Sequence, residues 1–170
     1  DFADYMIQGP LAALDAIEKA TGEGEINAIG YCIGGTLLAS TLAYMAAKND
    51  SRIKSATFFA AMTEFSEIGE MSVFIDEEQL ELLKTHMTEK GYLEAHHMAQ
   101  VFNMMRERDL IWSFVVNNYL LGRDPMAFDL LYWNSDATRM PAKMHQFYLR
   151  NMYLENRLAR PGGLALAGVP

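Results

Sequence analysis

The sequence predicts an α/β fold: a parallel sheet flanked by helices, with a helical cap inserted into it. Three observations carry this expectation. Residues 26 to 60 read strand, helix, strand. The only cysteine stands in the turn between that first strand and helix, in G-Y-C-I-G-G. Beyond Ala61 the pattern turns helical and stays so until about Gly162, which is too much helix for an ordinary crossover between neighbouring strands.

Taken in order, Asp1 to Ile7 reads as an amphipathic segment entered midway. Pro10 is expected to open a helix carrying Leu11, Leu14, Ile17 and Glu18, with Gly22 as its stop. Ile26 to Tyr31 (I-N-A-I-G-Y) is a short apolar run suited to a buried parallel strand. Gly34 to Lys48 carries Leu38, Leu42 and Met45 at helical spacing, and Ile53 to Ala60 is the next strand. Together these make a βαβ unit. In the cap, Asp76 is expected to N-cap a helix over Glu77 to Lys90, ended by Gly91. A second helix spans Leu93 to Met105. Asp109 caps a third, Leu110 to Leu121, which stops at G-R-D-P. Pro141 opens a fourth that runs to about Glu155. The expected organisation is therefore residues 1–63 as part of the sheet core, 64–162 as the inserted cap (lid), and 163–170 as a return to the core, with the sheet resuming near Leu164. Both ends read as cuts inside a larger globular protein. The piece is expected to expose apolar surface where further strands pack.

The box Gly30-Tyr31-Cys32-Ile33-Gly34 has the form of the G-x-S-x-G nucleophile elbow of the α/β-hydrolase fold, with Cys in place of Ser. A sharp strand-to-helix turn holds the nucleophile in a strained backbone conformation and leaves it exposed at the carboxyl end of the sheet. Glycines at Gly30 and Gly34 let neighbouring backbone pass without Cβ clashes, and Gly35 lets the helix lie close to the strand. The thiol sits at a helix N-terminus, where the positive end of the dipole favours a thiolate. The backbone N–H of Ile33 points to where an oxyanion would form. Glycine on both sides of a given Cys at these offsets arises by chance about once in 200. The competing reading is a structural Cys buried in a βα turn.

Composition narrows the function classes. The 170 residues carry a formal net charge of −8, with none of the basic striping of nucleic-acid binders. The longest apolar runs fall far short of the ~18 residues that span a bilayer, and no signal-peptide pattern opens the chain. One cysteine makes no internal disulfide, and no H-E-x-x-H or paired-Cys pattern points to a metal. No cofactor is expected. In this fold the acid and the His follow the nucleophile after later strands, so the catalytic Asp and His are not expected in this chain. His86, His96, His97 and His145 read as solvated or packed helix residues. Ten of the twelve Met lie beyond Ala61, which suits either gap-filling core or an adaptable lid. The aromatic residues Phe128, Tyr132, Trp133, Phe147, Tyr148 and Tyr153 could line a hydrophobic tunnel or a subunit interface, or pack the cap.

Four stretches resemble one family. D-F-A-D-Y-M-I-Q-G-P-L-A-A-L (Asp1 to Leu14), G-Y-C-I-G-G-T (Gly30 to Thr36), F-D-L-L-Y-W-N-S-D-A-T (Phe128 to Thr138) and Y-L-R-N-M-Y-L-E-N (Tyr148 to Asn156) resemble polyhydroxyalkanoate synthases, the class I, short-chain type best. The resemblance implies that Cys32 is the acyl-accepting nucleophile. It attacks the thioester of an (R)-3-hydroxyacyl-CoA such as 3-hydroxybutyryl-CoA and releases CoA, and the hydroxyl of another unit then extends the polyester. It also implies a lid that takes part in homodimerisation. The expected place is the cytoplasm at polyester granules, where granule-associated proteins are possible partners. Two alternatives remain. One is a cysteine hydrolase of the dienelactone hydrolase type, which shares a G-Y-C-x-G-G box but would not carry a cap of this size. The other is a non-catalytic assembly module on a dead core, against which the elbow argues.

Overall fold

The computed structural model describes residues 1–125, 130, 136 and 138–170. The chain divides into two compact units, one made of Asp1–Ile68 and Phe147–Pro170, the other of Gly69–Gln146.

The first unit opens with helix α1 (Phe2–Met6) and continues through a π-helical turn (Ile7–Leu11) into α2 (Ala12–Thr21). Asp1 caps α1: its carboxylate accepts the Asp4 N–H at 3.1 Å, while the Asp4 side chain reaches back to the Asp1 amino group. The helical stretch therefore starts eight residues ahead of the expected opening at Pro10, which lies inside the π turn. Proline supplies no N–H, and a wider turn takes up the missing hydrogen bond without ending the helix. Gly22, at φ 76°, closes α2, and its N–H bonds to Glu18 O at 2.8 Å, as expected of a left-handed glycine stop.

Strand β1 (Ile26–Tyr31), helix α3 (Ile33–Ala47) and strand β2 (Ile53–Phe59) follow, close to the expected bounds. The two strands pair in parallel, Ala28 against Ala56 and Tyr31 against Phe59. α3 is apolar all round, and its buried side includes Leu38 and Met45 together with the small residues Gly35, Thr36, Ser40 and Thr41. Ser40 and Thr41 return their hydroxyls to the carbonyls of Thr36 and Leu37 at 2.9 and 2.7 Å, so their burial leaves no donor unmet. Arg52 joins the head of β2 to α2: it pairs with Asp50 at 2.7 Å and with Asp15. Those partners keep its guanidinium charged and hold the Asp50 carboxyl below its usual range, the Arg52 hydrogen bond being the main cause.

Parallel sheets are normally covered on both faces. Here Ile29, Tyr31, Phe58 and Phe59 are exposed, Ile29 at 72%, which accords with the expected apolar surface. The sheet does not resume near Leu164. Leu166 and Val169 form an isolated antiparallel bridge with each other. The carbonyl and N–H groups of this Gly- and Pro-rich segment close on their own turn, and its burial rests on Leu166 alone.

In the second unit a 3-10 stretch (Gly69–Phe74) leads into α3's successor, α4 (Glu77–Thr88). Asp76 is its N-cap, as expected, and accepts the Gln79 N–H at 2.8 Å. A two-residue strand β3 (Tyr92–Leu93) pairs antiparallel with β4 (Met140–Pro141), and α5 (Ala95–Met105) lies between them in sequence. Asp109 does not cap the third helix. It lies within a π-helical stretch, Arg108–Trp112, where its carboxylate pairs with Arg106. The nearby cation competes successfully for the carboxylate that the cap would have used. A further π stretch, Val115–Leu120, follows. The expected stop at Gly122 holds, with φ 62°. The last helix is α6 (Ala142–Tyr148), continued by a π stretch, Leu149–Leu154, and opened beside Pro141 as expected.

His145, on α6, is 3% exposed, and its Nδ1 has no hydrogen-bond partner. Burial pushes its pKa down to about 4. The folded chain thus keeps this imidazole neutral where the unfolded chain, titrating near 6.5, takes up a proton. The associated stability is fully present above pH 6.5 and is lost as pH falls from there toward 4, by up to about 3 kcal/mol. Urea midpoints measured at pH 7 and pH 5 are expected to show this fall. His145→Leu, which removes the orphaned nitrogen, should flatten it; an unchanged pH dependence in that variant would place the titration elsewhere.

Candidate active site

Cys32 is the single residue between the end of β1 and the start of α3, and it has φ 52° and ψ −128°. A non-glycine residue in this region costs about 1–3 kcal/mol and persists only where its surroundings fix it. Three backbone bonds do so. The Cys32 N–H donates to Phe59 O at 3.0 Å, and its carbonyl accepts from Gly35 N at 2.9 Å and Thr36 N at 3.4 Å. The thiol is exposed, at the carboxyl end of both parallel strands. β2 leaves the sheet through a second left-handed residue, Ala60, at φ 47°. Ile33 is the first residue of a 15-residue helix, so its N–H has no acceptor within α3 and is available to an anion beside the thiol.

The glycines of the box do unequal work. A Cβ on Gly30 would stand 2.5 Å from Gly35 Cα, and a Cβ on Gly35 would stand 2.3 Å from Ala61 Cβ. These two let strand and helix touch. A Cβ on Gly34 meets nothing within 4 Å, and its φ is not left-handed. The expectation that Gly34 relieves a clash is therefore corrected: a Cβ there would enter open space, and the close approach falls one residue later, on Gly35.

The chain that follows β2 is tied to this elbow. Thr36, fully buried in the first turn of α3, donates its hydroxyl to Met62 O at 2.7 Å. Asn156, itself at φ 47°, accepts the Phe65 N–H on its Oδ1 at 2.9 Å and donates from Nδ2 to Glu64. Glu64 also accepts from the Ser66 hydroxyl and N–H at 2.8 and 2.9 Å, and these donors hold its carboxyl below the usual range. Asn is among the few residues that take a left-handed backbone readily. Asn156→Ala, which leaves the Phe65 N–H without its acceptor, is expected to cost about 2 kcal/mol. Asn156→Gly, which keeps the backbone but not the bond, should cost less. Equal urea midpoints for the wild type and Asn156→Ala would show that the clamp contributes nothing.

Two phenols border the same place. Tyr148 and Tyr153 pack edge-on at 5.3 Å between ring centres, and Phe65 lies edge-on to both, at 6.2 and 5.0 Å. Phe2 stacks on Tyr148 at 6.1 Å. Thr36 and Tyr153 act on the Tyr148 hydroxyl, and Cys32 lies within electrostatic reach of both tyrosines. Burial is the main force that raises both phenols above their ordinary range, which keeps them protonated at neutral pH. The aromatic pattern of the sequence marks these two residues but carries no signal that brings them to Cys32. Phe128, Tyr132 and Trp133 lie outside the described residues.

In the second unit His96 Nδ1 lies 3.1 Å from Glu94 Oε2, and the His96 and His97 rings are 3.9 Å apart. No group of His, Cys, Asp or Glu that could hold a metal ion occurs among the described residues. Nor is any helix there long and apolar enough to cross a membrane. A cavity of about 260 Å³ lined by Ser40, Tyr44, Leu158 and Arg160 opens against the later turns of α3, away from Cys32.

Comparison with known proteins accords with this geometry. The alpha/beta hydrolase fold family matches residues 10–158. The chain is 56% identical over 168 residues to a poly(3-hydroxyalkanoate) polymerase subunit of Rhizobium meliloti, covering 99% of this chain and 27% of the relative. It is 56% identical over 169 residues to a poly(3-hydroxyalkanoate) polymerase of Methylorubrum extorquens, covering 99% and 28%. It is 36% identical over 172 residues to the corresponding polymerase subunit of Cupriavidus necator, covering 98% and 29%. The chain thus spans between a quarter and a third of the length of these relatives. The exposed cysteine held at positive φ between a parallel strand and a helix, together with the match over residues 10–158, establishes that the chain belongs to the alpha/beta hydrolase fold family.

Proposed function

We propose that this chain is the nucleophile-bearing portion of a poly(3-hydroxyalkanoate) polymerase, an acyltransferase that joins (R)-3-hydroxyacyl units taken from coenzyme A thioesters. The observation that carries this reading is Cys32 itself: an exposed thiol on a backbone strained to φ 52°, in a chain 56% identical to named polymerases over 99% of its length.

The Cys32 thiolate attacks the thioester carbonyl. A C–S bond to Cys32 forms as the bond to CoA breaks, and the proton that the base took from the Cys32 thiol passes to the leaving sulfur, so that CoA leaves as its thiol. The Ile33 N–H is placed to receive the oxyanion of the tetrahedral intermediate. The hydroxyl of a second acyl unit then attacks the Cys32 thioester, an ester bond forms, and the Cys32 sulfur is released. The base that takes the hydroxyl proton and the acid that orients it are assigned to later parts of the fold, after further strands. Those strands would also cover Ile29, Tyr31, Phe58 and Phe59, the exposed side chains of β1 and β2. Residues 64–162 are assigned as the lid insertion, with 1–63 and 163–170 on the sheet core. The lid would serve homodimerisation, and the protein would work in the cytoplasm at the surface of polyester granules, beside granule-associated proteins.

The test is incubation of the full-length protein with (R)-3-hydroxybutyryl-CoA, following CoA release and turbidity together, with Cys32→Ala in parallel. CoA release with rising turbidity, both absent from the variant, is the expected result. CoA release with only soluble 3-hydroxybutyrate would make the protein a thioester hydrolase of the dienelactone hydrolase kind. Release undiminished in Cys32→Ala would remove Cys32 from the mechanism.

A further inference from the structure

The two paired strands of the first unit each run out into a left-handed residue that is not glycine. Cys32, at φ 52°, follows β1, and Ala60, at φ 47°, follows β2. Tyr31 pairs with Phe59, so the two strained residues leave the sheet side by side. Such conformations persist only where the surroundings over-determine them, and they gather at working sites.

The surroundings here form a ring closed by two hydrogen bonds. At one end the Cys32 N–H donates to Phe59 O at 3.0 Å. At the other the Thr36 hydroxyl donates to Met62 O at 2.7 Å. Residues 59–62 make one side of the ring, and Cys32 with the first turn of α3 makes the other. Ala61 fills the space between, so close to Gly35 that a methyl there would stand 2.3 Å from the Ala61 Cβ. The first closing bond is backbone to backbone. The second depends on one side chain.

That side chain is 0% exposed, and its backbone is held on both sides. The Thr36 N–H reaches Cys32 O at 3.4 Å, and the Thr36 carbonyl accepts the Ser40 hydroxyl at 2.9 Å. A valine in its place would keep the shape and the burial but would deprive Met62 O of its donor. Met62 is only half-buried, so its carbonyl would turn toward water. Phe59 O lies three residues upstream in the same short segment and would move with it. The Cys32 N–H would lose its acceptor, and Cys32 could relax from its strained backbone. A shift of about 1 Å at a reacting group costs about 100-fold in rate.

We propose that Thr36 is a positioning residue for Cys32: its buried hydroxyl, acting through Met62 O, pins the exit of β2 to the elbow and so keeps the thiol and the Ile33 N–H aligned on one acyl group. Thr36 itself meets no substrate, and no proton or covalent bond changes hands at it. The proposal rests on the acyl-cysteine reading of Cys32.

The experiment compares Thr36→Val and Thr36→Ser in the full-length protein, with (R)-3-hydroxybutyryl-CoA as substrate and well below the melting midpoint of each variant. Thr36→Val is expected to lose about 10- to 100-fold in kcat with KM within about threefold of wild type. Thr36→Ser, which keeps the hydroxyl, should stay within about threefold in kcat. A threonine that served stability alone would shift the melting midpoint and leave kcat of the folded variant unmoved. Alkylation of Cys32 by iodoacetamide, read by mass spectrometry, needs no acyl transfer. Its rate should fall about threefold or more in Thr36→Val, as the thiol leaves the helix N-terminus, and recover in Thr36→Ser. A Thr36→Val kcat within twofold of wild type would overturn the proposal, and so would equal losses in the two variants. A lower kcat with alkylation unchanged would overturn it too, because the hydroxyl would then act elsewhere than on the thiol. Should Thr36→Val fail to fold, Thr36→Ala decides: it lacks the same hydroxyl, and alanine is the best helix former. A kcat there equal to that of Thr36→Ser sinks the idea. CoA release persisting in Cys32→Ala would defeat the acyl-cysteine reading, and the alkylation rates would still decide whether Thr36 positions the thiol.

Discussion

Cys32→Ser in the full-length protein is expected to fold as the wild type does and to lose about 10³-fold or more in CoA release. The fold should survive because oxygen replaces sulfur on an exposed side chain and because the strained backbone is held by groups that the substitution does not touch. These are Phe59 O, Gly35 N and Thr36 N. The chemistry should fail for two separable reasons. A serine hydroxyl is far less acidic than a thiol, so the helix N-terminus that favours a thiolate does too little for an alkoxide, and the base must do more. In addition, any acyl group that did transfer would sit as an oxygen ester, a poorer acyl donor than the thioester, and chain extension would stall. The measurement is CoA release under saturating substrate, together with a melting curve. Full turnover in Cys32→Ser would show that the nucleophile lies elsewhere.

The elbow was legible because its requirements are local. An apolar run, a cysteine bracketed by glycines and a small-residue helix fall within residues 26–47, and backbone sterics leave few other ways to join them. The Asp76 cap and the glycine stop at Gly22 were legible for the same reason: each is a bond between residues three or four apart. Pro10 misled because a proline at the first turn and a proline inside a π turn carry the same letter. The helix already runs from Phe2 when the chain reaches Pro10, and the short segment ahead of the proline is too brief to show a period. Asp109 misled because a carboxylate can cap or pair, and Arg106 three residues away takes it.

What could not be read from the sequence is the company that Cys32 keeps. Thr36, Met62, Phe65, Tyr148, Tyr153 and Asn156 come from separate stretches of the chain. Their meeting depends on Asn156 bonding Phe65 and Glu64, and on Thr36 bonding Met62. Pairings at such separation leave no periodicity. The sequence marks the tyrosines as aromatic residues to be packed, and only the fold sets their rings edge-on to each other and to Phe65.

The division of labour among the glycines gives the sharpest structural test. Gly35→Ala is expected to destabilise the first unit by about 2–4 kcal/mol, an overpacking penalty. Its methyl would stand 2.3 Å from Ala61 Cβ and 3.3 Å from Gly30 O. Neither neighbour can swing aside, because one is fixed to the backbone after β2 and the other is a strand carbonyl. Gly30→Ala should be as damaging, since every atom it meets within 3.1 Å is backbone of Gly34 or Gly35. Gly34→Ala meets open space within α3, where alanine is the better helix former by up to about 1 kcal/mol; it should be neutral or stabilising. Thermal melts of the three variants in the full-length protein separate these outcomes by the order of their midpoints, Gly34→Ala at or above wild type and the other two well below it. Ala61→Gly added to Gly35→Ala removes the partner methyl and should return part of the loss, a coupling that an independent pair would not show. If Gly34→Ala proved as harmful as Gly35→Ala, the close approach of α3 to the sheet would lie one residue earlier than it stands here, and Cys32 would be held by a different turn.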